Sequence, residues 1–257
     1  MLRGPVSVCV DRPLLSLARP FTYVLEDELG AGVGSLVKVP FHGRSVRAWI
    51  LGPTHDVPAR VLPVRSVVSP VRWFDERGLE LCRWVSERYV APLAAVLARA
   101  TPPRVAGEED PERAAEVREV RPPPVVEAVL DGHRHGNDLL HAIGQGGGGA
   151  WALRPVPEHE ASATVEAVAA CVASRRRALV IVPESAPVPA TALAVAAAFG
   201  DRAALLLGGS KRARFRIWLD AQAGRYDVVV GTRPSVFTPV PDLGLIVVSR
   251  ESHAALR

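Results

Sequence analysis

Residues 227–257 run DVVVGTRPSVFTPVPDLGLIVVSRESHAALR. Two short apolar, β-branched runs, Val228–Val230 and Leu243–Val248, flank a polar loop that begins Gly231-Thr232-Arg233. Runs of this kind, apolar on both faces, predict strands buried in a parallel sheet. The same rhythm continues upstream. Strands are predicted at Ala150–Leu153, Ala178–Val182 and Ala203–Leu207, and helices at Ala161–Ser174, Ala190–Phe199 and Lys211–Ala223. Alternation of strand and helix makes residues 150–257 an α/β lobe.

Residues 1–104 follow a different pattern. Val6–Val10, Phe21–Val24, Ser35–Pro40, Val46–Leu51 and Arg65–Val68 are short β-rich runs broken by Pro, Gly and Asp. They predict a small antiparallel sheet or barrel. One helix is expected over Asp75–Leu97, capped by Asp75, with Leu79, Leu81, Cys82, Trp84 and Val85 as its buried stripe. Residues 105–149 read as a linker. They hold a mixed-charge run, Glu108–Glu119, a stiff Arg121-Pro122-Pro123-Pro124 spacer and four glycines, Gly146–Gly149. The glycines precede a strand, and no Gly-Lys-Ser/Thr follows them, so they are expected to be a flexible joint rather than a phosphate loop.

Composition bounds the function classes. A chain of 257 residues with 48% apolar and 23% charged residues builds a real core. The net charge of +4 and pI near 9.3 permit a nucleic-acid partner without demanding one. Cys9, Cys82 and Cys171 are too far apart for a zinc ribbon or a disulfide framework. They are expected to be reduced and buried. With no signal peptide and no membrane-length apolar run, a cytoplasmic location is expected.

Residues 227–257 resemble the DNA-contacting and metal-binding motifs of a superfamily-two helicase lobe. The resemblance is to the PriA family of primosomal replication-restart proteins, where the stretch runs V-G-T-R-S-A-V-F…L-G-L-I-I-V-D-E-E-H. The N-terminal unit resembles the same family. Asp11-Arg12-Pro13-Leu14…Arg19-Pro20-Phe21-Thr22-Tyr23 is similar to L-D-R-P-F-T-Y, and Val37-Lys38-Val39-Pro40-Phe41 to V-R-V-P-F. Trp84–Leu97 is similar to the family's W-x-x-x-Y-Y-x-x-P-L-G-x-V-L helix.

The resemblance implies two kinds of site. In the first unit it implies a pocket for a DNA 3′ end. Phe21 would stack on the terminal base, or else pack in the core, and Thr22 would hydrogen-bond near it. Tyr23 is expected in the core. His42 stands where the family has glycine, with Gly43 and Arg44 following. Either one residue is inserted and the pocket kept, or a substitution narrows it. The family's lysine falls near Leu62, where Arg60 is the available substitute. In the lobe, Thr232 and Arg233 would touch the DNA backbone; the plain alternative is a strand exit with a surface arginine.

The nucleotide motifs do not carry over. Counting back from Val182-Pro183-Glu184, which matches the family's V-P-E, puts Glu160 at the phosphate-loop lysine and Ala161 at the threonine. No lysine lies between Ala150 and Ser174. Ser249 and Arg250 replace the acidic metal-binding pair. No catalytic residue, metal ligand, ATP, magnesium or zinc is therefore expected in this chain, although the family uses all three. The expected function is a replication-restart DNA-binding protein without helicase activity, partnered by forked or 3′-ended DNA, primosome proteins and single-stranded-DNA-binding proteins, with no membrane. The alternative is an active ATP-dependent 3′–5′ helicase with divergent motifs. Residues 105–149 are too short for the family's winged-helix domain. A second lobe is also missing, which leaves a fragment, a truncated reading frame or a reduced relative.

Overall fold

The computed structural model describes residues 1–17, 19–110 and 117–256, with the backbone alone at Leu15. The chain divides into two compact units, residues 1–112 and 113–257. The mixed-charge run 108–119 falls partly on residues 111–116, outside the described residues.

In the first unit, β1 (Gly4–Val10), β2 (Phe21–Leu25), β3 (Ser35–Phe41), β4 (Arg44–Pro53), β5 (Leu62–Pro63) and β6 (Ser66–Arg72) form one curled sheet ordered β5-β2-β1-β4-β3-β6. The sheet is a half-barrel. Its pairs are antiparallel except β2 with β5. Alternation sends Val6, Val8, Tyr23, Leu25, Val37, Val39, Ala48 and Ile50 to one inner face. Gly34 has φ +80, and a Cβ there would sit 1.9 Å from the Phe74 carbonyl oxygen, so only glycine fits where the strand leaves the turn.

The helix expected over Asp75–Leu97 is two helices, α1 (Glu76–Arg88) and α2 (Leu93–Ala100). Pro92 disfavours helical backbone at the residue before it, and Val90 breaks the run at φ +51. Asp75 caps α1 as expected, its Oδ1 accepting the Gly78 N–H at 2.7 Å. The expected stripe is corrected at Trp84, which is 57% exposed, whereas Leu79 and Cys82 are buried.

The second unit is built on a parallel sheet of β7 (Arg177–Ile181), β8 (Ala203–Leu206), β9 (Val228–Gly231) and β10 (Leu243–Val248), ordered β10-β7-β9-β8. Helices α3 (Gly136–Gln145), α4 (Glu160–Ala173), α5 (Ala190–Phe199) and α6 (Lys211–Gln222) belong to the same unit. The strand expected at Ala150–Leu153 is absent, and Trp151 and Leu153 are exposed. Flanking glycines on one side and Pro155 and Pro157 on the other oppose a ladder there. Coverage of both sheet faces is also incomplete. On the edge strand β10, Leu245 and Val247 pack on the core while Ile246 and Val248 stay exposed.

Part of the stretch read as linker packs on this sheet. Val120, Val129, Leu130, Leu139 and Ile143 join its core. Gly146 ends α3 in the left-handed conformation. The segment is fastened by Glu166 of α4, which is 8% exposed and whose Oε2 accepts the N–H groups of Val129 and Leu130, both at 2.7 Å. Glu166→Ala is expected to cost about 1–3 kcal/mol by leaving two buried donors unpaired. Urea unfolding of the purified chain measures this, and an unchanged midpoint would show that water reaches both amides.

Candidate nucleic-acid interface

In the first unit Phe21 lies close to the turn that holds His42, Gly43 and Arg44. His42 and Gly43 form the two-residue turn between β3 and β4, with Phe41 paired to Arg44 across it. Both turn residues have positive φ, 46° and 75°, the geometry of a tight hairpin turn. His42 thus sits within a regular two-residue hairpin. Histidine is among the residues that tolerate this backbone better than most.

Ring contacts link this turn to β2. The Phe41 ring lies 4.4 Å from the His42 ring and 5.1 Å from the Phe21 ring, both edge-on. The Arg19 guanidinium lies 5.6 Å from the Phe21 centroid. Phe21 is half-buried, so part of its ring is available to a ligand. Phe41 and Arg19 were not among the expected site residues, although both lie inside the quoted motifs. Phe41 meets Phe21 although β3 and β2 are not paired, so their closeness comes from the curl of the sheet, which spacing alone does not give. Thr22 donates its hydroxyl to the Asp56 carbonyl at 2.8 Å, so it ties down the 54–56 loop. Tyr23 is 5% exposed and donates to the Pro40 carbonyl, as a core residue. Arg60 is exposed and lies two residues ahead of β5, the strand beside β2.

In the second unit, the loops leaving β7 and β9 meet at the carboxyl edge of the parallel sheet, the usual ligand edge of such folds. A cavity of about 420 Å³ lies there, lined in part by Glu184, Ser185, Thr232, Arg233 and Ala255. The fold thus brings Val182-Pro183-Glu184 and Gly231-Thr232-Arg233 to one place, though they are far apart in sequence. Gly231 is required by close approach. A Cβ there would lie 1.9 Å from Ser235 Oγ.

Glu160, Ser249 and Arg250 also meet. Glu160, at the start of α4, accepts from Ser249 Oγ at 2.9 Å, from Arg250 Nε at 3.1 Å and from Arg250 Nη2 at 3.1 Å. Ala161 follows in the first turn of α4. Hydrogen bonds from Arg250, then from Ser249, hold the Glu160 carboxyl below its ordinary range, although burial opposes them. Glu160 likewise raises Arg250. A lowered carboxyl contributes stability above its unfolded pKa, and loses it as pH falls through the folded value. The contribution is small, because Arg250 is 66% exposed and solvent screens the pair.

This donor set does not fit a magnesium nucleotide. A carboxylate stands where phosphate oxygens need donors, and at about 4 Å two like charges repel by roughly 4 kcal/mol at an effective dielectric of 20. Its partners are a hydroxyl and a guanidinium, neither of which holds a metal ion as a carboxylate does. Among the described residues, no group of three or more His, Cys, Asp or Glu is placed to bind a metal. The cysteines are free and buried, and burial pushes Cys9 up to about 12 and Cys82 and Cys171 to about 11, so none is a ready nucleophile. No described helix is long and apolar enough to cross a membrane.

The chain is similar to known proteins along most of its length. The family model of the PriA 3′ DNA-binding domain (3′BD) matches residues 7–102. The chain is 30% identical over 241 residues to a probable replication restart protein PriA of Mycobacterium leprae, covering 90% of this chain and 37% of that protein. The corresponding Mycobacterium tuberculosis H37Rv protein is 30% identical over 247 residues, 93% of this chain and 38% of that protein. The replication restart protein PriA of Treponema pallidum is 25% identical over 246 residues, 88% of this chain and 35% of that protein. The chain spans a little over a third of the length of these curated relatives.

Proposed function

Since the chain belongs to the PriA family of replication restart proteins and opens with that family's 3′ DNA-binding domain, we propose that it recognises forked or gapped DNA carrying a 3′ end and works without a helicase activity of its own. Phe21, with His42, Gly43, Arg44 and Arg60 around it, receives the terminal nucleotide. Thr232 and Arg233 hold the sugar-phosphate backbone at the second unit. ATP, magnesium and zinc take no part in this chain. The protein acts in the cytoplasm, beside primosome and single-stranded-DNA-binding proteins.

The observation that carries the reading is the Glu160 pair with Ser249 and Arg250, which satisfies this carboxylate within the chain. Equilibrium titration with a fluorescent ATP analogue, with and without magnesium, is the test. No saturable binding is expected up to about 1 mM, equivalent to a binding free energy weaker than about −4 kcal/mol. Tight magnesium-dependent binding would restore the helicase alternative. A second titration uses a fork at two salt concentrations. A steep loss of affinity with salt is expected as phosphates are neutralised.

A further inference from the structure

We propose that Glu160 and Arg250 are positioning residues for the Thr232–Arg233 contact, holding the segment 250–256 in place as one wall of its cavity. This rests on the DNA reading of that cavity.

Ser249 is the last residue tied to the sheet, its N–H donating to the Ile181 carbonyl at 2.9 Å. Arg250 then takes φ +52, a left-handed conformation uncommon outside glycine. Its side chain is held on Glu160 by two donors, which fixes the residue in that turn. The turn reverses the chain. The His253 N–H donates to the Arg250 carbonyl at 2.8 Å, and the Leu256 N–H to the His253 carbonyl at 3.0 Å.

The reversed segment reaches the cavity. His253 Nδ1 accepts the Ala255 N–H at 3.2 Å, which leaves the proton of the neutral ring on Nε2. Nε2 lies 3.5 Å from Glu184 Oε1. Ala255 lines the cavity beside Thr232 and Arg233. Leu256 packs on the cluster that contains Leu179, Ile181 and Val229. The clasp and the cavity wall are thus two ends of one short segment. In place of a nucleotide that comes and goes, a fixed ion pair sets the shape of the backbone contact.

The test compares the wild type with Glu160→Gln, Arg250→Gln, the exchanged pair Glu160→Arg/Arg250→Glu, and Arg233→Ala. Amide hydrogen exchange over residues 251–256 reads the wall. Equilibrium binding to a fork with blocked 3′ ends reads the contact without help from the end pocket. Each single clasp variant is expected to raise exchange and weaken binding about three- to fivefold, the range of an exposed ion pair. The exchanged pair restores both, which separates charge pairing from mere loss of stability. Arg233→Ala weakens binding and leaves exchange unchanged. Unchanged exchange in both single variants overturns the proposal, and so does raised exchange with unchanged affinity. If Arg233→Ala also binds as wild type, the DNA reading of the cavity falls and takes the coupling with it, while exchange still reports whether the clasp holds the wall.

Discussion

Arg177→Ala is expected to lower the stability of the second unit by about 3–5 kcal/mol, on the scale of breaking a buried charged network. Arg177 opens β7 and is 1% exposed. Its guanidinium donates to the carbonyls of Gly224 at 3.1 Å, Tyr226 at 3.2 Å and Pro241 at 3.3 Å, and to the carbonyl of Arg118. It also meets the Asp242 carboxylate at 3.3 Å. One side chain therefore ties the segment entering the unit, the loop before β9 and the loop before β10 to the first residue of β7. Alanine leaves those carbonyls dry and without donors. The Asp242 arm matters least, since that carboxylate is 68% exposed. Lysine keeps the charge but not the planar fork, so Arg177→Lys is expected to recover only part of the loss. Trp218 is buried in the same unit, and its fluorescence during urea unfolding supplies the measurement. A loss below about 1 kcal/mol would mean that the carbonyls find water or new donors.

Phe21→Ala is expected to weaken binding of a 3′-ended DNA by about 5- to 150-fold, the span of one lost base–aromatic stack worth roughly 1–3 kcal/mol. The effect should vanish on a substrate whose 3′ end is blocked. The ring also contacts Phe41 edge-on at 5.1 Å, so some folding stability goes with it, about 0.5–1.5 kcal/mol. Phe21→Trp supplies the control, because it restores a stacking face. A fluorescence-anisotropy titration of free and blocked ends with both variants decides the matter. If Phe21→Ala still prefers the free end as strongly as wild type, Phe21 is a packing residue and the end is read elsewhere.

Much of the second unit was legible because its signals are local. The helix of Ala190–Phe199 and the strand of Leu243–Val248 appear with the bounds expected, since apolar runs and Pro or Gly punctuation specify them within a few residues. The strand expected at Ala150–Leu153 failed because glycines and prolines flank its apolar residues, and no strand of the sheet pairs with it. Trp84 also misled. Its spacing fits the buried stripe of α1, yet that face receives no cover at its position.

At the candidate sites, chemistry was readable and proximity was not. The substitutions of Glu160, Ser249 and Arg250 can be seen by counting along the chain. That the three side chains meet and satisfy one another depends on α4 starting beside the end of β10, which only the folded sheet order decides. In the first unit, the sequence placed Phe21 in one strand and His42 beyond the end of another, and the curled sheet brought them together through Phe41. The sequence by itself determined most of the strands and helices and the lack of any lysine between Ala150 and Ser174, because side-chain chemistry and backbone propensity act over a few residues. Tertiary structure alone decided which strands are neighbours, which of the buried charges find partners and which apolar faces stay bare, because those outcomes depend on contacts between residues far apart in the chain.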